Sequence, residues 1–266
     1  AESDKNISNN KDIWKEWWQN PESKHFYFQG KDNIPFHTII LPSILMGSGE
    51  YNLPYDVVAN EYLNFSGKQF SKSKNWAVWV SDFLKEYDSE ALRYYLSSIM
   101  PESSDSDFTW NSFFDSNNKE LVATFGNLLN RINTLIKNNF NNIIPNLEKT
   151  DDVDNDMISE IKNSFDSAGN FLEKRQFRNS LKEIMNLAKL GNRYIDQKEP
   201  WSTVKSNRQI AANTLWVGAN LISNLGVLIS PFLPKTSLKI SSIFNFGSDI
   251  PKWEYREVKS GTSIVN

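Results

Sequence analysis

Two kinds of apolar pattern divide the chain. Up to about residue 108 the apolar runs are short and punctuated by Gly, Pro and polar turns, whereas from Trp110 onward they recur at helical spacing. In the first part, IWKEWW from Ile13 to Trp18 predicts a short aromatic helix, which Pro21 and Glu22 close. HFYF, from His25 to Phe28, has strand length and is expected to be a buried parallel strand. It runs out at Gly30, Lys31 and Asp32, after which PFHTIILPSILM reads as a helix kinked at Pro42. YDVVAN, from Tyr55 to Asn60, predicts another strand, and the turn at Ser66 and Gly67 delivers the loop GKQFSKSKNW. Ser81 to Tyr87 and Ser89 to Met100 predict two helices, the second capped by Asp88.

In the second part, Leu121, Phe125, Leu128, Ile132, Leu135 and Ile136 make one stripe of a long helix ending near Phe140. Met157, Ile161, Phe165, Ala168 and Leu172 mark a second helix. Leu181, Ile184, Met185, Ala188 and Ile195 mark a third, which stops before Glu199 and Pro200. Gln209 to Ile229 is apolar almost all round and is expected at the centre, with Lys235 to Phe244 as the closing helix. Polar turns separate these helices, so an antiparallel bundle is expected. The Ser- and Asp-rich stretch from Pro101 to Asp107 places the boundary between two domains, 1–108 and 109–266. The expected fold class is mainly α: an α/β segment followed by a helical bundle.

Composition narrows the chemistry. With 266 residues, 39% of them hydrophobic, the chain can bury a sizeable core. A formal charge of −3 rules out a polybasic nucleic-acid coat, so any RNA contact must be local. There is no Cys, and the histidines are His25 and His37, so disulfides and cysteine-ligated zinc are excluded and no metal site is expected. The polar start AESDKNISNN has no signal-peptide pattern, and a cytoplasmic setting is expected. The most apolar stretch, Thr214 to Leu233, carries Asn220, Asn224 and Ser230, which suits a buried bundle helix rather than a membrane span.

Three places concentrate candidate chemistry. Ser71, Lys72, Ser73 and Lys74 offer hydroxyls and ammonium groups that suit a loop closing over a polyanion, although a bare SKSK is usually a solvated turn. The strand, glycine turn and helix around FQGKD put a Gly that permits close approach and an Asp that accepts from hydroxyls where α/β folds bind nucleotides. His37, one turn into that helix, is equally well explained by a bond to a backbone carbonyl. Asn127 and Arg131 lie one helical turn apart, off the apolar stripe, and are expected to point outward. Trp201 comes after Pro200 between helices; its indole suits stacking on an unpaired base, or else plugs the core.

These segments together carry a resemblance. GKQFSKS resembles the KMSKS loop of class I aminoacyl-tRNA synthetases, in the FSKS form of archaeal-type enzymes. FQGKDNIPFHTIILP, LRYYLSSIMPESSDSDFTWNSF, NLLNR and the Pro-Trp pair resemble segments of methionyl-tRNA synthetases in the same order, from about Ile13 to Phe244. The resemblance implies a partial Rossmann-like catalytic segment followed by a class I anticodon-binding bundle. It assigns catalysis to Lys72 with Ser71 and Ser73, the adenosine ribose to Gly30 and Asp32, the methionine pocket to His37, and the anticodon to Asn127, Arg131, Pro200 and Trp201. Where the family has the first lysine of its loop this chain has Gln69, with Lys68 one place earlier, so one charge is displaced or lost.

The implied activity is ATP-dependent activation of methionine, with Mg2+, and its transfer to tRNA(Met). The HIGH and WxDAPxGY-like signatures of the family are not found, so the chain is expected to be a carboxyl-terminal half that is inactive without an amino-terminal half. A monomer with no membrane association is expected. The alternatives are a non-catalytic tRNA-binding module, another class I synthetase, and a helical scaffold.

Overall fold

The computed structural model describes residues 12–265. They form two compact units: one takes in the chain up to Asn64 with Pro101–Ser106, the other Phe65–Met100 with Asp107 onward.

The first unit opens with helix α1 (Ile13–Trp18) and contains a parallel pair of strands, β1 (Phe26–Gly30) and β2 (Asp56–Asn60), in register Phe26↔Asp56 through Gly30↔Asn60. The parallel pairing is as expected, but β1 is not buried on both faces. Phe26 is 41% and Phe28 52% exposed, because the pleat turns alternate side chains outward on a sheet two strands wide. The segment after Gly30 also differs from a simple kinked helix. It is a 3-10 turn (Lys31–Asn33), a π-helical turn (Phe36–Ile40) and helix α2 (Leu41–Ser48). Pro42 has no N–H for the carbonyl four residues back and its ring crowds that group, so the preceding turn widens. Gly49, in the left-handed region at φ 73°, ends α2.

Three further short strands, β3 (Leu63–Phe65), β4 (Lys68–Gln69) and β5 (Ser106–Phe108), form a sheet in the order β4, β3, β5. Helices α3 (Val80–Glu86) and α4 (Ser89–Ser98) come after the loop, and Asp88 caps α4 through the N–H of Glu90, as expected. The bundle begins with α5 (Trp110–Asp115), capped by Thr109. It continues through an 11-residue π-helical stretch (Ser116–Gly126) into α6 (Asn127–Phe140), in place of the one regular helix that the stripe predicts. Spacing alone does not separate wide turns from ordinary ones over so short a run.

Helix α7 (Asp152–Glu173) starts at a capping box in which Asp151 and Asp154 each accept the other's backbone N–H. Helix α8 (Phe177–Lys198) ends at Glu199, and α9 (Pro200–Ser206) starts directly after it. Helix α10 (Arg208–Leu228), capped by Asn207, is buried without a break from Ala211 to Leu228 and is the central helix predicted. Ile132, Ile161, Ile184, Leu221 and Leu225, all 0% exposed, show where the core lies. Helix α11 (Pro234–Ile243) is the last helix, as expected, but the core is completed beyond it. The tail beyond it crosses α10 and pairs its Ser263 with Ile143, burying Val258 and Ile264.

Candidate functional site

The FSKS loop is a closed turn on an aromatic base. Ser66 and Gly67 take positive φ (49° and 76°), and the Gly67 N–H donates to Asp107 at 2.9 Å, which fixes the turn between β3 and β4. Ser71 and Trp76 close the loop by exchanging backbone hydrogen bonds of 2.9 Å each. The Trp76 indole N–H donates to the Phe65 carbonyl at 2.9 Å, with the two rings 5.1 Å apart. Lys72, Ser73 and Lys74 are thereby held exposed at the tip, with the Ser71 and Ser73 hydroxyls 3.3 Å apart. Lys68 lies over the Trp76 ring at 5.4 Å and Gln69 is exposed in β4, so the lysine one place early belongs to the base of the loop. Two ammonium groups on a braced but exposed tip can meet a phosphate chain without prior desolvation.

Gly30, Asp32 and His37 lie in the first unit. Gly30 ends β1 in extended conformation, and a Cβ added there would meet nothing within 4 Å, so the space beside it is open. Asp32 accepts from the Tyr62 hydroxyl at 2.6 Å, and that bond raises the Tyr62 pKa. Lys31 pairs with Glu61 and, at 3.7 Å, with Asp105. The Glu61 hydrogen bond raises the Lys31 pKa despite partial desolvation. His37 sets Nδ1 3.1 Å from the Asn33 carbonyl and its ring 5.5 Å from Tyr27. A carbonyl can only accept, so that contact makes Nδ1 the donor and leaves Nε2 unused by it. Tyr62 is not visible as a partner in the sequence, because only the β1–β2 pairing brings it to Asp32.

Asn127, Arg131, Pro200 and Trp201 all lie in the second unit. Asn127 is exposed and borders an open groove of about 690 Å³ lined by Leu121, Val122, Phe125, Asn130 and Thr236. Arg131, expected to point outward, is half-buried and turned onto α8. Its Nη2 donates to Asp196 at 2.6 Å, Nη1 to Asn192 at 3.4 Å, and its Cζ sits 5.5 Å from the centroid of Trp201. Asn192 also donates to the Thr124 carbonyl at 3.0 Å, tying α8 to the π-helical stretch. Pro200 is buried while Trp201 is 41% exposed, so the indole is no core plug. Sequence reasoning missed Asn192 and Asp196, whose signal is a polar pair one turn apart on the third helix. The result is a half-exposed aromatic ring beside a fixed cation, an arrangement suited to an unpaired base.

Among the described residues, no group of three or more His, Asp or Glu side chains could hold a metal ion, and no helix is long and apolar enough to cross a membrane.

Comparison with known proteins gives two family matches along the chain. Residues 2–133 match the family "tRNA synthetases class I (M)" and residues 144–264 the "Anticodon binding domain of methionyl tRNA ligase". The chain is 42% identical over 262 residues to a methionine–tRNA ligase of Thermococcus kodakarensis, covering 94% of this chain and 35% of that protein. It is 44% identical over 236 residues to one of Thermomicrobium roseum, covering 88% of this chain and 40% of that protein. In fold it is similar to the crystal structure of Mycobacterium tuberculosis methionyl-tRNA synthetase bound by methionyl-adenylate. The TM-score there is 0.85 at 21% identity, over 97% of this chain and 51% of that one. The chain thus spans 35% to 40% of the length of these curated relatives. With a class I synthetase segment followed in order by that anticodon-binding domain, the chain belongs to the methionyl-tRNA ligase family.

Proposed function

We propose that this chain is the part of a methionine–tRNA ligase that carries the phosphate-facing loop and the anticodon-reading bundle. The functional division falls at 1–108 and 109–266. The whole enzyme joins methionine to AMP from ATP, releasing pyrophosphate, and passes the methionyl group to tRNA(Met). The observation that carries the reading is Arg131 poised over a half-exposed Trp201, with Asn127 exposed one turn along the same helix.

In the first reaction the methionine carboxylate attacks the α-phosphate and negative charge grows on the departing pyrophosphate. Lys72, on the exposed tip, is the group that meets this charge, and Ser71 and Ser73 supply hydroxyl donors beside it. Asp32 and Gly30 receive the ribose, and the Nε2 side of His37 faces the amino-acid pocket. Mg2+ travels with ATP, bound mainly by phosphates and water, and needs no dedicated carboxylate cage. Phe36, Ile39, Ile44 and Met46 are 55% to 68% exposed in the first unit, which suits a surface covered by an amino-terminal half of the catalytic domain. The protein acts in the cytoplasm as a monomer.

The experiment is a titration of Trp201→Ala with a methionine-tRNA transcript, alongside a thermal melt. Binding should weaken by ~1 to 3 kcal/mol, the scale of one lost base stack, with the melting temperature nearly unchanged. Unchanged tRNA affinity with a strongly lowered melting temperature refutes the RNA-reading role. A second reading, a tRNA-binding module without catalysis, is favoured by Gln69 at the first loop position and by Lys68 being engaged on Trp76. Methionine-dependent pyrophosphate exchange by the complete protein rules it out.

A further inference from the structure

Trp201 does not hold itself in place, since its ring is 41% exposed. The residues around it do. Lys198, three residues earlier, is 8% exposed, and its Nζ sits between Asp151 at 2.6 Å and Asp154 at 2.8 Å. Asp154 is 1% exposed and also accepts from the Tyr194 hydroxyl at 2.7 Å. These two aspartates are the capping box of α7, so the last residue of α8 is tied to the first turn of a neighbouring helix.

The turn after Lys198 needs such an anchor. Glu199 lies in the left-handed region (φ 43°, ψ 56°), a conformation disfavoured for any residue with a Cβ and here adopted without glycine. Pro200 then fixes φ for the first turn of α9 and is buried. The Glu199 turn therefore has an anchored residue on either side, and together with the packing of α9 on α10 it sets the direction in which α9 leaves and the indole faces.

We infer that Lys198, locked by Asp151 and Asp154, is a positioning residue for RNA recognition: it holds the Glu199 turn that keeps Trp201 beneath Arg131. A lysine so near an RNA-facing tryptophan would ordinarily be assigned to a phosphate. Burial between two carboxylates gives it a different task, which it performs through Trp201 without touching RNA. The inference rests on the reading of Trp201 as a base-stacking residue.

The test measures affinity for a methionine-tRNA transcript over a range of salt with the 266-residue chain and the variants Lys198→Met, Lys198→Arg, Trp201→Ala and Lys198→Met/Trp201→Ala. Trp201→Ala should weaken binding about 5- to 150-fold. Lys198→Met should weaken it at least about 5-fold by misplacing that stack, with the dependence on salt unchanged, and Lys198→Arg should restore most of the loss. In the Trp201→Ala background Lys198→Met should cost nothing further, because the group it positions is gone. An equal loss in both backgrounds, a salt slope reduced by about one, or unaltered affinity in Lys198→Met overturns the inference. If Trp201→Ala itself binds normally, the RNA reading falls and takes this inference with it.

Lys198→Met leaves Asp154 buried without its cation. If that variant does not fold, Asp151→Asn, whose side chain is 57% exposed, loosens the lysine while Asp154 stays paired. Its smaller loss must likewise vanish in the Trp201→Ala background, and no loss at all overturns the proposal.

Discussion

Arg131 and Trp201 meet across two helices, the guanidinium carbon 5.5 Å from the ring centroid, while Asp196 holds the same guanidinium at 2.6 Å from the side. The cation is thus fixed within the protein itself, and its guanidinium lies over the indole. A stacked guanidinium with several donors cannot be replaced by an ammonium. Arg131→Lys should therefore recover little of the tRNA affinity lost in Arg131→Ala, a loss of about 1 to 3 kcal/mol on the scale of a specific base contact. Filter binding of both variants checks this, and full recovery by lysine would reduce the residue to a point charge.

Lys72 stands exposed on a loop whose base is braced by Trp76, so its removal should not disturb the fold. In the complete enzyme, Lys72→Ala should lower the rate of adenylate formation by roughly 100-fold or more, with ATP affinity little changed, since its charge acts mainly in the transition state. Single-turnover kinetics separates the two. An intact rate with weakened ATP binding would make the lysine a ground-state contact.

Burial works against the charge on Asp151, yet Lys198 and the Asp154 backbone hold its carboxyl below the usual carboxylate range. Burial likewise works against Lys198, but Asp151 and Asp154 outweigh it and raise its pKa above the ordinary 10.5. A lowered acid contributes stability above its unfolded pKa of about 3.9 and loses it as the pH falls. A raised base contributes fully below its unfolded value and loses that as the pH rises. The difference in melting temperature between the wild type and Lys198→Met should be largest around neutral pH and shrink in acid and in strong alkali. A difference that grows with alkali would contradict the pairing.

At Gly191 α8 lies close against its neighbours: a Cβ there would come within 2.3 Å of Leu221 and 2.9 Å of Leu128. Both leucines are 0% exposed, so neither has room to withdraw. Gly191→Ala should cost about 1 to 3 kcal/mol by overpacking, despite the better helix propensity of alanine. Chemical denaturation measures it, and a neutral outcome would mean that the core repacks freely.

Helical periodicity makes the bundle legible because each helix buries a single stripe, and α10, buried all round, announces itself by its composition. The first unit is less legible. Its strand faces depend on how many neighbours a sheet has, which no local pattern encodes, and β1 is half-exposed. The candidate residues lie in short motifs, but their partners do not. Tyr62 reaches Asp32 through the β1–β2 pairing, and Asp196 reaches Arg131 through helix packing, both across separations at which spacing rules are silent.

The asparagines of α10 act like the edge of a strand. Asn220 gives and takes one hydrogen bond with the backbone of Val258, and Asn224 does the same with Arg256. Both residues are 0% exposed beneath that tail, so a chain cut at Phe244 would keep every described helix and yet strip both amides of these partners and uncover the core that Val258 and Ile264 help to close. Each lost hydrogen bond is worth roughly 0.5 to 1.5 kcal/mol net, and the apolar surface laid open adds to that loss. Anyone trimming this protein to a portable anticodon reader would have to carry the unglamorous stretch up to Val265, since α10 is left incomplete without it.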